Sequence, residues 1–512
     1  MEKTFYVTTP IYYVNDIPHI GHAYTTIAAD VLARYHRLAG SKVFFLTGTD
    51  EHGQKVQEAA GERNISPQQH CDEMVVRFQD LWKKLNISND DFIRTTEGRH
   101  KTVVQEILTR LHKKEDIYQT SYEGWYCVPD ERFWTEKDLI EGCCPECRRA
   151  VQQIKESNYF FRMSNYQKWL IRYIEEHDNF ILPRTRRNEI LGFLKQPLED
   201  LCISRPCKRL SWGIPIPFDS DYVTYVWFDA LINYISASKY LKDNDSFFSF
   251  WKNAVHLIGK DILTTHCVYW PTMLKAMGIE PPRMVFAHGW WTVEGKKMSK
   301  SLCNVVEPNM LIDNYGTDAI RFFLLREGTF GLDSDFSHKS LIHRINSSLA
   351  NDLGNLLNRS LAMTIKYFKG RIPKPSTPEA IDERLHEKAI QVIKKVDIHM
   401  EEVAFHKSLD SIWELVGMTN KYIDESAPWS LAKDTGKQKR LATVIYSMLE
   451  SLRFIAVLLY PFIPSSAEKM WEALGIKEKI NQQSLDSIKN WGMLAEGTVV
   501  TKIPPLFPRI EN

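Results

Sequence analysis

The chain has 512 residues, of which 44% are hydrophobic and 25% are charged. These are the proportions of an ordinary globular protein, and the length suggests roughly three domains. The formal net charge of +1 excludes a chain that is basic throughout, so any surface for nucleic acid must be local.

The N-terminus has no charged lead followed by an apolar stretch and a small-residue cleavage site, so no signal peptide is expected. The best apolar run, residues 454–463, is short and is interrupted by Pro461. It is too short to span a bilayer. We therefore expect a cytoplasmic protein that has no membrane partner.

The first residues predict a βαβ unit. Residues 4–9 are β-branched and aromatic, which favours a strand, and a turn-rich stretch follows at 10–18. Apolar positions over 19–38 repeat at helical spacing, and Gly40 is typical of a helix C-terminus. The apolar run 43–46 predicts a buried parallel strand.

The middle of the chain changes character and then returns to strand and helix. Residues 117–223 carry most cysteines and scattered turns, which indicates an insertion. The sheet should resume with a strand at 255–259, a helix at 261–275 and a strand at 284–287.

Only helical patterns are predicted beyond residue 341. The expected helices cover 341–368, 381–402, 409–425 and 441–459, with a proline-rich connector at 370–378. The predicted fold is α/β, a Rossmann-like parallel sheet split by an insertion and followed by an all-α helical bundle. The predicted domains are 1–116 and 224–290 (two halves of the sheet domain), 117–223 (insertion), 291–340 (a lysine-rich loop segment) and 341–512 (bundle).

Two short motifs, far apart in the chain, together indicate one ATP site. His19-Ile20-Gly21-His22 lies at the predicted helix start, where free N–H groups and the helix dipole attract phosphate. Gly21 would allow close approach, and the histidines would donate hydrogen bonds to charge that develops in the transition state. The alternative is a purely structural role, in which both histidines only cap the helix.

The second motif is Lys297-Met298-Ser299-Lys300-Ser301. A solvated charged loop without a specific function is one interpretation. Two lysines on a hinged loop, however, would suit a lid that closes over a triphosphate. Neither motif supplies a nucleophile. That fits attack by a substrate carboxylate on the α-phosphate of ATP, with Mg²⁺ neutralising the leaving pyrophosphate.

Five further stretches give the chain its resemblance to the methionyl-tRNA synthetases, which are class I aminoacyl-tRNA synthetases. They are TTPIYY (8–13), GTDEHG (48–53), WGIP (212–215), YVWFDA (225–230) and IGKD (258–261). The resemblance covers essentially the whole chain. It implies ATP-dependent attachment of methionine to its tRNA through methionyl-adenylate, with release of AMP and pyrophosphate.

The resemblance also implies roles for individual residues. The residues that match the methionine pocket are Ile11, Tyr13, Asp50, Trp227, Ala230, Tyr234, Ile262 and His266, with Asp50 holding the ammonium group. The residues that match the ATP site are His19, Gly21, His22, Gly259, Asp261, Lys297, Ser299 and Lys300, of which His19, His22, Lys297 and Lys300 would be catalytic. On chemistry alone, Asp50 could instead form a turn, and Trp227 and Tyr234 could be core aromatics.

A cysteine pair resembles half of a zinc knuckle. Cys144 and Cys147 have the C-x₂-C spacing, whereas the other half reads Cys127-x₂-Asp130. Relatives with zinc carry cysteine at both of those positions. A structural Cys₃Asp zinc site and a decayed site without metal both remain open, and Cys143 is a spare thiol.

The bundle resembles the family's anticodon-binding domain at Asn355, Arg359 and Trp429. Asn355 and Arg359 share a helix face, and tryptophan can stack on an unpaired base. The resemblance implies tRNA(Met) with a CAU anticodon. On chemistry alone, a solvated face and a core tryptophan would be the more common interpretation. The chain ends soon after the bundle, and we expect a monomer.

Three other functions remain to be weighed. Another class I synthetase for a bulky apolar amino acid would share both ATP motifs. An adenylyltransferase for a small metabolite could use a similar histidine motif, but the helical domain would have no task. A non-catalytic tRNA-binding descendant would have no need to keep His19, His22, Lys297 and Lys300.

Overall fold

The structure is a computed structural model that describes residues 3–15, 17–127, 132–134, 136–145, 147–224, 226–238, 240–293, 295–297 and 306–511. Three predicted site residues, Asp130, Ser299 and Lys300, lie outside the described residues, as does the side chain of Lys297.

The strands of the described part form four sheets. They are β1 (Thr4–Tyr13), β2 (Lys42–Asp50), β3 (Asp91–Arg94), β4 (Ile117–Cys127), β5 (Arg132–Trp134), β6 (Gln152–Phe161), β7 (Ile181–Leu182), β8 (Leu201–Cys202), β9 (Ser204–Pro206), β10 (Pro215–Ile216), β11 (Asp219–Thr224), β12 (Ala254–Gly259), β13 (Met284–His288), β14 (Trp291–Val293), β15 (Lys296–Lys297) and β16 (Ser334–Phe336).

The α-helices surround the main sheet and form the C-terminal bundle. They are α1 (Ile20–Leu38), α2 (Gln54–Glu62), α3 (Pro67–Lys84), α4 (Gly98–Lys113), α5 (Gln167–Glu176), α6 (Arg184–Phe193), α7 (Val226–Leu231), α8 (Asn233–Ser236), α9 (Asn244–Trp251), α10 (Trp270–Met277), α11 (Pro308–Tyr315), α12 (Thr317–Arg326), α13 (His338–Arg344), α14 (Asn355–Phe368), α15 (Ala380–Glu401), α16 (Phe405–Ser426), α17 (Pro428–Leu431), α18 (Gln438–Leu459) and α19 (Pro464–Ala473).

The main sheet has six parallel strands in the order β3-β2-β1-β12-β13-β7. The order reverses direction between β1 and β12, and such a switch point opens a crevice at the carboxyl ends of the strands. The predicted strand at 4–9 is longer than expected. Its register shifts between Thr8 and Ile11, and the strand then continues beside β2 until Tyr13 faces Asp50.

The segment predicted as an insertion is not wholly separate from the main sheet. Strands β5, β4, β6 and β8 form their own antiparallel sheet. The short strand β7, however, pairs with β13 in the main sheet through Ile181 and Leu182. Two residues leave too weak a periodic signal in the sequence to identify a strand.

Helix α1 is the helix expected after the first strand. It packs on β1 and β2 and is buried along nearly its whole length. Gly40 follows its end at a φ of +78°, a left-handed conformation that glycine adopts without strain. The helix predicted at 261–275 is less regular: a π-helical turn, Thr265–Tyr269, precedes α10.

The bundle follows the predicted helical order, and the long first helix passes through a π-helical segment, Ile345–Gly354, between α13 and α14. A hydrophobic core runs without interruption from the α1 face of the sheet into this bundle. Within the described chain, only Thr435–Leu459 has the length and apolar composition to cross a membrane, with a mean hydropathy of 1.6. This is longer than the expected run at 454–463, and its apolar window is wholly buried as the core of the bundle.

Candidate active site

A cavity of about 510 Å³ opens at the carboxyl ends of β1, β2 and β12. It brings together all eight residues predicted for methionine and five of the eight predicted for ATP. Its walls include the residues predicted for methionine, which are Ile11, Tyr13, Asp50, Trp227, Ala230, Tyr234, Ile262 and His266. They also include those predicted for ATP from the first motif and from β12, which are His19, Gly21, His22, Gly259 and Asp261.

The two histidines of the first motif cap α1. Nδ1 of His19 accepts from the backbone N–H of Gly21 at 3.1 Å, and Nδ1 of His22 accepts from the N–H of His19 at 3.2 Å. Their rings stack with centroids 3.8 Å apart. Because Nδ1 is the acceptor in each ring, the proton of the neutral imidazole is on Nε2. Capping therefore fixes a tautomer that can donate, so capping and phosphate binding are compatible.

His22 is held neutral. Burial, and next to it the charge of His19, keep the pKa of His22 well below its usual value. Gly21 is required here, because a Cβ at this position would lie 2.9 Å from Cε1 of His19. A side chain larger than hydrogen would displace the imidazole that begins the helix.

One wall of the cavity is a chain of aromatic and histidine side chains. The hydroxyl of Tyr234 lies 2.7 Å from Nε2 of His266, whose Nδ1 lies 3.0 Å from the carbonyl of Ile262. A carbonyl can only accept, so Nδ1 of His266 carries the proton and Tyr234 donates to Nε2. Burial lowers the pKa of His266 to about 4, so this ring is neutral at pH 7.

A further histidine stands behind Tyr234. His256, on β12, stacks on the Tyr234 ring with centroids 4.2 Å apart. Trp270 donates to its Nε2 at 3.3 Å, so Nδ1 carries the proton and donates to Thr8 at 2.8 Å. The buried side chains of His256, Trp270 and Thr8 thus fix the angle of the Tyr234 ring, which faces the cavity.

Another buried network includes His52 and Asp229, which lie two residues after Asp50 and Trp227 in the chain. Asp229 accepts from Nδ1 of His52 and from Nε2 of His100, each at 2.7 Å. Burial alone would raise the pKa of Asp229, but the two histidines outweigh it and lower that pKa to about 2. This carboxylate joins the turn after β2 to α4 and α7, the helix that carries Trp227.

Asp261 borders the cavity at the end of β12. Its carboxylate accepts from the indole of Trp290 at 3.1 Å. A Cβ on Gly259 would lie 2.5 Å from an oxygen of Asp261, so a larger residue at this position would displace that carboxylate. The neighbouring Lys260 forms an ion pair with Asp333 at 2.7 Å.

The lysine motif is described only at its beginning. The backbone of Lys297 pairs with Thr292 in the hairpin of β14 and β15. This hairpin adjoins the cavity through Trp291, which lines it. The part of the motif that holds Ser299 and Lys300 lies outside the described residues.

Three predicted zinc ligands lie close together in the insertion. The sulfurs of Cys127, Cys144 and Cys147 are all within 4.8 Å of one another, and Cys127 and Cys147 are 3.4 Å apart. Zn–S bonds of about 2.3 Å in a tetrahedron would separate the sulfurs by roughly 3.8 Å. The described ligands therefore fit a zinc ion, with Asp130 as the expected fourth ligand.

The predicted anticodon residues lie at one end of the bundle. Asn355 is exposed at the start of α14. Arg359, one turn later, pairs with Asp424 of α16 at 2.7 Å, and α16 leads directly into α17. Trp429 on α17 is 43% exposed, which contradicts the interpretation as a core tryptophan.

Several residues around the site had no signal in the sequence. His100 lies on α4, outside every motif, and His256 is an ordinary residue of a buried strand. His52 and Asp229 fall inside quoted stretches, GTDEHG and YVWFDA, but nothing in one sequence pairs them. The parallel sheet and the helices that follow it bring these groups together.

Comparison with known proteins decides the family. The model of class I tRNA synthetases (M) matches residues 5–157 and 149–361, and the anticodon-binding domain of methionyl tRNA ligase matches 372–512. The methionine–tRNA ligase of Caldanaerobacter subterraneus is 53% identical over 512 residues, which are all of this chain and 80% of the relative. The chain belongs to the methionyl-tRNA synthetases.

Other members of the family agree with this assignment. The methionine–tRNA ligase of Bacillus subtilis is 48% identical over 524 residues, covering 99% of this chain and 78% of the relative. The structure of Mycobacterium tuberculosis methionyl-tRNA synthetase in complex with methionyl-adenylate superposes with a TM-score of 0.95 at 41% identity. It covers 99% of this chain, which itself covers all of that one.

As a methionyl-tRNA synthetase, the chain is a class I ligase that uses ATP to attach methionine to tRNA through methionyl-adenylate. AMP and pyrophosphate are released. The expected fold, a Rossmann-like parallel sheet followed by a helical anticodon domain, is confirmed. The alternatives of a metabolite adenylyltransferase and of a non-catalytic descendant are excluded.

Proposed function

We propose that the cavity at the carboxyl ends of β1, β2 and β12 is the adenylation site, and that its two ends have separate tasks. The observation that carries the proposal is that thirteen predicted residues from distant parts of the chain line one cavity. Methionine occupies the end walled by Ile11, Tyr13, Trp227, Ala230, Tyr234, Ile262 and His266, with its ammonium group on Asp50. ATP occupies the end bordered by the start of α1 and by β12.

The methionine end suits an apolar side chain with a weakly polar sulfur. Aromatic walls contact a thioether favourably, and the hydroxyl of Tyr234 is already committed to His266. Neutral His266 places no charge beside the substrate. A longer or branched apolar side chain would meet a ring whose orientation is fixed from behind by His256.

The ATP end suits in-line attack on the α-phosphate. His19 and His22 direct Nε2–H groups from the helix start, and Gly21 keeps the helix start intact. Asp261 can accept from ribose hydroxyls beside Gly259. Lys297, Ser299 and Lys300 would bind the departing pyrophosphate, and Mg²⁺ would supply further neutralising charge there.

His22 offers a variant pair that separates capping from catalysis. His22→Asn keeps an acceptor near Nδ1 and removes the Nε2 donor, whereas His22→Gln restores a donor near Nε2. Loss of a donor that acts in the transition state costs about 10²–10³ in kcat. We expect this loss in methionine-dependent ATP–pyrophosphate exchange for Asn and a smaller one for Gln, with the KM for methionine unchanged.

Equal loss of activity in both variants, together with a lower melting temperature, would show that His22 acts only as a helix cap.

Lys300→Ala tests the other motif in the same assay. It should lower the rate of adenylate formation by orders of magnitude with little change in methionine binding, because its charge acts on the migrating pyrophosphate.

The bundle end formed by Asn355, Arg359 and Trp429 is proposed to read the CAU anticodon of tRNA(Met). The exposed indole of Trp429 supports this assignment, because a stacking platform must be open to an unpaired base. Arg359 is held by Asp424 and keeps further donors for a base edge or phosphate.

Three further properties are proposed for the whole protein. Cys127, Cys144 and Cys147 would hold a Zn²⁺ ion together with Asp130. The role of this ion would be structural, because four protein ligands leave no open position for catalysis. We propose that the protein acts as a monomer in the cytoplasm. Within the described chain, its exposed large hydrophobic side chains come from many separate elements. Sedimentation velocity tests the monomer.

A further inference from the structure

A second cavity, of about 330 Å³, opens at the opposite edge of the main sheet from the active site. Parallel strands begin at one edge and end at the other, so residues that precede β1, β12 and β13 meet there. The side chains used below are Lys3, Phe5, His36, Lys252, Arg283 and Glu401, all of which line this cavity.

The charge of the cavity is positive. Lys3 directly precedes β1, Lys252 lies just before β12 and Arg283 directly precedes β13, and these three strands are neighbours. Glu401, the last residue of α15, lies 3.6 Å from Arg283. This carboxylate neutralises one of three cations and leaves an excess of two positive charges around one opening.

A buried imidazole forms part of the wall. His36 is 4% exposed, and its ring stacks on Phe5 with centroids 3.5 Å apart. Its Nδ1 is buried and has no hydrogen-bond partner within the described residues. Burial, and then the charges of Arg283 and Lys3, lower the pKa of His36 to about 3, so the ring is neutral at pH 7.

These features call for an anionic ligand that accepts hydrogen bonds. The guanidinium and ammonium groups bind compact oxyanions well, and the neutral ring of His36 adds no competing charge. The carboxylate of Glu401 would repel a long polyanion more than a small one.

We propose that this cavity is a binding site for a phosphate-class oxyanion, held by Lys3, Lys252 and Arg283 against the uncharged wall formed by His36 and Phe5. The site is separate from the adenylation site. It lies at the seam between sheet and bundle, since Glu401 belongs to α15 and the nearby Tyr35 donates to Asp397 of α15 at 2.6 Å. A bound anion would neutralise the positive excess at that seam.

Three ligands of this class are distinguished by titration. The full chain is first saturated with a non-hydrolysable methionyl-adenylate analogue, which occupies the methionine and AMP positions of the active site. Pyrophosphate bound at the lysine motif is recognised because Arg283→Gln and Lys252→Gln leave that binding unchanged. Inorganic phosphate, pyrophosphate and AMP are then added in separate calorimetric titrations at constant ionic strength, with chloride as the reference anion. We expect one site per chain for at least one of them, and the tightest identifies the form that the site prefers.

Variants of the cavity test the proposed binding residues one by one. Arg283→Gln and Lys252→Gln, both at exposed positions, should each weaken binding about tenfold or more. His36→Phe, which keeps an uncharged aromatic ring in the wall, should retain binding. Lys42→Gln is the matched control, because Lys42 begins β2 at the same edge but does not line the cavity.

Thermal unfolding provides an independent measurement on the same samples. The preferred anion should raise the melting temperature of the parent and of Lys42→Gln, but not that of Arg283→Gln. Exchange activity should be unchanged in these variants. The proposal is overturned if none of the three anions binds more tightly than chloride, or if Arg283→Gln and Lys252→Gln bind as the parent does.

Discussion

Arg321 donates to Asp30 at 2.7 Å, and both side chains are fully buried. Asp30 lies on α1, the helix that begins with the histidine motif, and Arg321 lies on α12. The same guanidinium donates to the carbonyls of Leu85, Pro461 and Phe462. One side chain therefore joins the active-site helix to the segment between α18 and α19 of the bundle.

Removing the charge of Asp30 should destabilise the protein strongly. Asp30 also pairs with Arg34 at 2.8 Å, so Asp30→Asn leaves two buried guanidinium groups without a counter-charge. Breaking a buried pair from one side typically costs about 3–5 kcal/mol. Urea unfolding should show this loss, whereas Glu106→Gln, which breaks an exposed pair with Arg110, should cost less than about 1 kcal/mol. Similar losses for both variants would contradict the proposed importance of burial.

The same network predicts a loss of stability in acid. Burial would raise the pKa of Asp30, but Arg34, Arg321 and Ser88 outweigh it and lower that pKa to about 2. A carboxylate whose pKa is depressed on folding stabilises the protein above its unfolded pKa of 3.8. That stabilisation, roughly 2 kcal/mol, is lost as the pH falls from about 4 towards 2.

Unfolding free energies measured at pH 5, 4, 3 and 2 test this linkage. The parent should lose more stability over this range than Asp30→Asn, because the variant has no carboxylate to protonate at that position. Parallel curves for the two proteins would show that Asp30 titrates at its ordinary pKa.

Trp429→Ala should separate the two half-reactions. Trp429 lies in the bundle and lines no part of the active-site cavity, so methionine-dependent exchange should persist. Loss of one base stack costs ~1–3 kcal/mol, so kcat/KM for tRNA should fall about tenfold or more. Asn355→Ala and Arg359→Ala should act in the same direction, with relaxed anticodon choice.

Exchange and charging are measured on each of these variants, with circular dichroism as the folding control. Phe248→Ala is the matched control, since Phe248 is a similarly exposed aromatic on α9, in the sheet domain. If Trp429→Ala folds and charges tRNA at the parental rate, the anticodon assignment is wrong.

Elemental analysis should find about one zinc ion per chain. Protein prepared without metal-affinity steps should carry zinc, and Cys144→Ser should lose it together with part of its thermal stability. Cys207→Ser, outside the cluster, should retain the metal. Metal-free protein with full activity and an unchanged melting temperature would show that the cysteines are a remnant.

The sequence predicts best those features that depend on local periodicity or on a family motif. Helix α1 and the bundle helices begin and end within a few residues of the expected positions, because their apolar repeats are long. β7 was not predicted as a strand, since its two residues carry no period of their own. It is placed by pairing with β13.

The residues that line the cavity were predicted more completely than the residues that pack around them. Asp50 and Trp227 lie in motifs, so the resemblance identifies them. His100 and His256 act through distant partners, Asp229 and Tyr234, and such pairing arises only when the sheet assembles. A single sequence contains no signal for contacts of that kind.

Amino-acid-dependent ATP–pyrophosphate exchange across all twenty amino acids tests the account of the cavity most directly. The aromatic wall formed by Tyr234, Trp227 and His266 should accept methionine and support strong exchange with it alone. Strong exchange with leucine, isoleucine or valine in place of methionine would contradict the assignment of this cavity.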